Sequence, residues 1–227
     1  MESWNPENSE LQIDLRGADF AEFLKFVFDH DVVPEASDEK EWYFRHELDV
    51  QAEPSRQVQF MSELFRRPGV LSARYSAPQI EQGFWFMFLR GAEWFMDPLW
   101  DPAIPRPERE ACVLAIPELY TQLFERQAIG SAPNMLWDLL AHGLDDYPGR
   151  RPESSGEDEF MRDSMFRACT AMLQSTSPET QRAALHGLFH IEHAKGMPTI
   201  RAWLDSTPGL EEGTKAYAEN VLAGTAI

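Results

Sequence analysis

Residues 18–30 read ADFAEFLKFVFDH, and their apolar side chains fall at Phe20, Phe23, Leu24, Val27 and Phe28. That is the i, i+3, i+4, i+7, i+8 spacing of one continuous stripe on an α-helix, with acids on the opposite side. The same period returns in most of the chain. PSRQVQFMSELF (54–65) has proline at its first turn and stops at Pro68-Gly69, and SDEKEWYFRHEL (37–48) reads as a short helix. SAPQIEQGFWFMFLRGAEWFM (76–96) starts at a Ser76 cap and stops before Asp97-Pro98. It is apolar nearly all round, which predicts burial on most sides and a central place in the fold.

A proline-rich loop, 97–109, separates this half from the next and is the candidate sub-boundary in what otherwise reads as a single helical domain, 1–227. Beyond it, EREACVLAIPELYTQLFERQAIG (108–130) carries Pro117 inside a helical pattern, so a break near Ile116 is expected. NMLWDLLAHGL (134–144) is a further helix, and DDYPGRRPESSGED (145–158) reads as a mobile link. Four helical stretches follow, at 156–176, 177–196, 197–207 and 209–224; Ser177-Pro178-Glu179 marks a start, and Gly196 with Pro198 is expected to end that helix. Alternation of the strand type is confined to LQIDLRG (11–17). The predicted fold is all-α, an irregular bundle or α-solenoid-like stack of antiparallel helix pairs, with about nine or ten helices in all.

Length and composition supply the bounds. The 227 residues are 43% hydrophobic, with fifteen Phe, nine Met and seven Trp, enough to fill a core. Thirty-eight acidic residues against twenty basic leave a net charge of −18, spread along the chain. Such a charge repels phosphate backbones and anionic headgroups, so neither nucleic acid nor membrane is an expected partner, and a basic protein is. Two cysteines, Cys112 and Cys169, sit in apolar helical patterns and form no CxxC pair. The acidic start lacks the basic and apolar regions of a signal peptide, and no run reaches the ~18 apolar residues of a membrane span. The expected location is the cytoplasm.

Within 177–196, LHGLFHIEHAKG (185–196) places His186, His190 and His193 in eight positions. On a helix these three fall in a stripe about 60° wide beside the core face, with Glu179 and Arg182 in the same sector. His186 and His190, at i and i+4, have the spacing by which two imidazoles reach one metal ion. His193 lies about 10.5 Å of helix rise from His186, too far for all three to close on an ion with bonds near 2 Å. Two at most can bind, and further ligands would have to come from elsewhere. Gly187 follows His186 where a metalloprotease HExxH motif needs its glutamate. The reading favoured by the residues is that the imidazoles line a core boundary and bond to neighbouring carboxylates or helix ends, with no cofactor. As a partner surface, the candidate binding residues are His186, His190, His193, Glu179, Arg182 and Trp100, the last an indole on a proline-stiffened loop.

LAHGL (140–144) and ALHGL (184–188) superpose Gly143 on Gly187, at an offset within the ~40 to 47 residues of HEAT and armadillo units. Glycine at a helix crossing lets two backbones approach, as stacked helix pairs require. Through ALHGLFHIE and the short helices after it, residues 130–227 resemble HEAT-like α-helical repeat proteins, while the N-terminal half departs from any regular repeat. The resemblance implies a stacked helical surface for binding. No G-x-S-x-G elbow, G-x-G-x-x-G turn or Walker loop occurs. The expected function is therefore a non-enzymatic acidic interaction module for a basic partner, such as a toxin neutralised in the manner of an immunity protein. The alternatives are a metal-dependent enzyme built on His186 and His190, and an acidic mimic of DNA.

Overall fold

The computed structural model describes residues 10–33, 41–44, 47–88, 95–142 and 155–225. Its architecture is helical, with one short two-stranded sheet at the N-terminal end.

Strand β1 (Glu10–Asp14) leads into α1 (Phe20–Phe28), the helix read from residues 18–30. Asp19 accepts from the Glu22 backbone N–H while the Glu22 carboxylate accepts from the Asp19 N–H, a capping box that fixes the start. Phe23, Leu24, Val27 and Phe28 are buried, and Phe23 stacks on Phe60 with ring centroids 4.8 Å apart. Strand β2 (Glu47–Gln51) then pairs parallel with β1, Leu11 opposite Leu48 and Ile13 opposite Val50, with α1 in the crossover.

This corrects the helix expected over 37–48. Residues 34–40, 45 and 46 lie outside the described residues; Trp42–Phe44 form a single 3-10 turn, and Glu47 and Leu48 open β2. The physical reason is the partner strand. ELDVQ repeats the Glu-Leu start and alternation of ELQID, and pairing side by side places Leu48 against the core.

Helices α2 (Pro54–Arg66) and α3 (Gly69–Ser72) precede α4 (Ala77–Phe88), whose Ile80, Phe84, Phe86, Met87 and Phe88 are buried against α1 and α7. Residues 89–94 of the long helix expected there lie outside the described set. Asp97–Trp100, in the proline-rich loop, form a 3-10 turn with Pro98, Leu99 and Trp100 in the interior. The helix expected over 108–130 divides into α5 (Arg106–Val113) and α6 (Ile116–Leu119), followed by a wide π-type turn at Tyr120–Phe124. Pro117 occupies the first turn of α6, where its missing N–H costs no hydrogen bond.

The last third comprises α7 (Ala132–His142), α8 (Ser155–Met172), α9 (Pro178–Ile191), α10 (Gly196–Ser206) and α11 (Glu212–Leu222). Ser177 caps α9 by accepting from the Thr180 N–H, as its sequence predicts. The other end differs from expectation: Glu192 in the left-handed conformation (φ 51°) closes α9, and Gly196 and Pro198 belong to the first turn of α10. Helix α9 is the hub of this half, packed on α7, α8, α10 and α11. Gly187 sits where α9 crosses its neighbours; a Cβ there would lie 2.7 Å from Cys169 Sγ and 2.9 Å from Trp137 Cγ. Gly143, its counterpart in the apparent repeat, lies outside the described residues. No helix among the described residues is long and apolar enough to cross a membrane.

Candidate functional site

His186 and His190 of α9, and His193 just after its end, reach three different helices. His193 Nε2 lies 2.8 Å from Asp163 Oδ1 of α8, its ring stacked on Phe166 at 4.2 Å. His186 Nδ1 is 2.9 Å from the Tyr217 hydroxyl of α11. His190 Nδ1 is 3.4 Å from Asp138 Oδ1 of α7. His190 and His193 thus lie beside carboxylates, whereas His186 meets a phenol.

The i and i+4 pair is nevertheless drawn together. His186 and His190 pack edge to face with centroids 4.4 Å apart, and Asp138 faces both. One ligating atom from each of Asp138, His186 and His190 falls within 4.8 Å of the other two. The cluster is half-buried, with the Asp138 side chain 18% and the His190 side chain 27% exposed. Burial lowers the His186 pKa below its ordinary 6.5, the neighbouring His190 charge adds to the lowering, and Asp138 opposes it. His186 is therefore a neutral imidazole near pH 7. Its Nδ1 is engaged by Tyr217, whereas its Nε2 is buried and has no hydrogen-bond partner among the described residues.

Sequence reasoning missed Asp138. Its signal was present, since it is the one charged residue of APNMLWDLLAH, the sequence of α7, but only packing shows that α7 turns it toward α9.

Glu179 and Arg182 form a separate network. Arg182 donates to Glu179, Glu211 and Thr214, which fastens the first half of α9 to the start of α11. Glu211 itself caps α11 by accepting from the Gly213 and Thr214 N–H groups. Trp100 is 8% exposed and belongs to the core, because the 3-10 turn that carries it folds inward; it offers no surface indole to a partner. Both thiols are fully buried. Burial pushes Cys112 up to about 12 and Cys169 well above its ordinary value, so neither ionises to a nucleophile near neutral pH.

A second polar centre had no sequence signal. Arg109, 1% exposed, donates to Glu157 Oε2 at 2.6 Å and to the Ile104 and Leu99 carbonyl oxygens. Arg106 donates to the other Glu157 oxygen at 2.6 Å. Burial pushes the Glu157 pKa up, but the bonds from Arg109 and Arg106 outweigh it and hold the carboxyl below its ordinary value. Residues 145–154 of the link expected to be mobile lie outside the described set, while its end, Ser155–Asp158, begins α8 and anchors this buried arginine.

A cleft of about 540 Å³ lies between the segment after α1 and the side of α4. Val32, Glu41, Tyr43, Glu81 and Trp85 are among its walls. Val32 and Phe44 are the large apolar residues most exposed among the described ones, at 40% and 47%. Burial, with a smaller contribution from the charges of Glu41 and Glu81, pushes the Tyr43 phenol up, and the cleft sets these two carboxylates beside apolar side chains. No family model, no curated protein and no solved structure matches the chain.

Proposed function

We propose that this chain is a non-enzymatic, acidic helical module that binds one basic protein partner, and that the cleft bounded by Tyr43, Glu41 and Glu81 receives it. The observation that carries the reading is the meeting, in one cleft, of the Glu41 and Glu81 carboxylates with the apolar side chains of Val32, Tyr43 and Trp85. An apolar floor with acidic walls suits a basic segment that carries an aromatic or aliphatic anchor.

The wider charge balance supports the same reading. Arg16, Arg67, Arg106, Arg109, Arg167 and Arg182 are each paired with a carboxylate of the same chain, which leaves the net charge of −18 to the remaining acids. Two buried, un-ionised thiols and the missing phosphate and acyl-transfer motifs leave the cysteines and glycine loops without a catalytic part. The resemblance to HEAT-like repeats would make the packed helices of the C-terminal half a further binding face. Neutralising a basic effector, as immunity proteins do, is the role that fits this chemistry.

The test is capture from the native cell at low salt with the wild type and a Glu41→Gln, Glu81→Gln variant, followed by salt titration of the purified pair. One basic protein is expected, held by the wild type, weakened in the variant and released near 1 M salt, where charges are screened within ~3 Å. A partner that binds both forms equally and ignores salt would refute the reading. A captured partner displaced by DNA would favour the mimicry of DNA instead.

A further inference from the structure

We infer that Asp138, His186 and His190 form a binding site for one divalent transition-metal ion of the zinc class, which clamps α7 to α9 with Tyr217 as the positioning residue. This goes beyond the partner reading and stands independently of it.

The donor set selects the ion. Two imidazoles and one carboxylate suit zinc, cobalt, nickel or ferrous iron, whereas magnesium and calcium prefer oxygen ligands alone. Three protein ligands leave at least one position for water. The i and i+4 spacing aims both rings of α9 to one side, and α7 supplies the carboxylate that the histidine pair by itself lacks.

The hydrogen bonding prepares the ligands. A ligating histidine ordinarily donates its second ring N–H to a fixed acceptor, which sets the tautomer and aims the free lone pair. When His186 Nδ1–H donates to Tyr217 Oη, the lone pair lies on Nε2, the nitrogen that is buried without a partner. That orphaned atom is otherwise a cost to the fold, since a buried acceptor loses its bond to water. The three donor atoms span up to 4.8 Å. Tetrahedral bonds of about 2.0–2.1 Å bring ligand atoms to about 3.4 Å, so closure requires movements of roughly 1 Å.

His193 is outside the site. It is held 2.8 Å from Asp163, on α8 and not on α7, and serves as the internal control.

The experiment titrates cobalt(II) into untagged, chelator-stripped protein and reads the visible d–d absorption, then displaces it with zinc(II). One equivalent of each metal is expected, with zinc raising the melting temperature. Asp138→Asn and His190→Gln keep polar side chains of similar size; in each, with the fold verified by circular dichroism, affinity falls at least ten-fold and the d–d band changes. Tyr217→Phe retains the stoichiometry and weakens affinity by about ten-fold or more, as loss of an outer hydrogen bond does. His193→Gln leaves binding unchanged. The inference is overturned if the wild type shows no stoichiometric d–d band, if the Asp138 and His190 variants bind as the wild type does, or if His193→Gln abolishes binding. The wild-type titration decides the matter even where a variant fails to fold.

Discussion

Gly187→Ala adds one methyl group at the point where α9 crosses α7 and α8. Two effects of opposite sign compete. In a helix interior, alanine gains about 1 kcal/mol over glycine. Against it, the new Cβ lies 2.7 Å from Cys169 Sγ, 2.9 Å from Trp137 Cγ and 3.1 Å from Trp137 Cβ, where carbon contacts ordinarily begin near ~3.5 Å. Neither neighbour can retreat, because Trp137 and Cys169 are both fully buried. Overpacking of this kind costs about 1–3 kcal/mol and occasionally more. With contacts this short the upper part of that range applies, so net destabilisation of about 1–2 kcal/mol is expected, a fall in Tm of roughly 2–8 °C for a chain of this size. The assay is urea and thermal denaturation followed by circular dichroism. Cys169→Ala in the Gly187→Ala background removes the sulfur that the methyl meets, so the two substitutions should couple favourably by about 1 kcal/mol. A Gly187→Ala variant as stable as the wild type, or more so, would mean that propensity prevails and that α9 does not approach α7 and α8 this closely.

Gly83→Ala should also destabilise, because its Cβ would clash with the Phe28 ring and lie 2.9 Å from the Val27 carbonyl oxygen; Gly17→Ala, with nothing within 4 Å, should stay within about 0.5 kcal/mol of the wild type by the same melting assay. Glu157→Gln leaves the Arg109 guanidinium interior and unpaired, and should cost about 2–3 kcal/mol, below the full value of a broken buried pair because Glu157 is 27% exposed and two carbonyls still accept from Arg109. Adding Arg109→Met should recover most of that loss in urea denaturation. With its folded pKa lowered from 4.5, Glu157 contributes stability that is full above that pH and is lost as pH falls through the folded value, so Glu157→Gln should flatten the acid limb of a pH–Tm curve. His30 and His186 are bases whose folded pKa values are lowered from 6.5 by burial, so the unfolded chain takes up their protons first; stability should start to fall as pH drops through that range, and His186→Gln should reduce the effect.

The helical period made most of the architecture legible. Phe23, Leu24, Val27 and Phe28 occupy the predicted face of α1, and Ser177 caps α9 where its side chain indicated. The failures have common physical causes. Strand β2 is short and gains its identity from pairing with β1, a contact between distant residues that local periodicity does not register. Gly196 and Pro198, expected to end α9, stand instead in the first turn of α10, where a proline is tolerated because no N–H is needed, whereas Pro117 does mark the break expected near Ile116, between α5 and α6. Half of the candidate site was visible: His186 and His190 stood out by spacing, whereas Asp138 and Tyr217 join them only through the packing of α7 and α11 on α9. The Arg109–Glu157 pair was invisible for the same reason, since nothing in a lone arginine of an amphipathic helix announces that it faces inward.

Diffraction from zinc-soaked crystals, recorded on either side of the zinc absorption edge, bears most directly on the claim that α9 and α7 are held so as to converge two imidazoles and one carboxylate. A single anomalous peak within bonding distance of His186 Nε2, a ring nitrogen of His190 and a carboxylate oxygen of Asp138 is the predicted result. A map without a peak there, or one whose peak lies at His193 and Asp163, would contradict it.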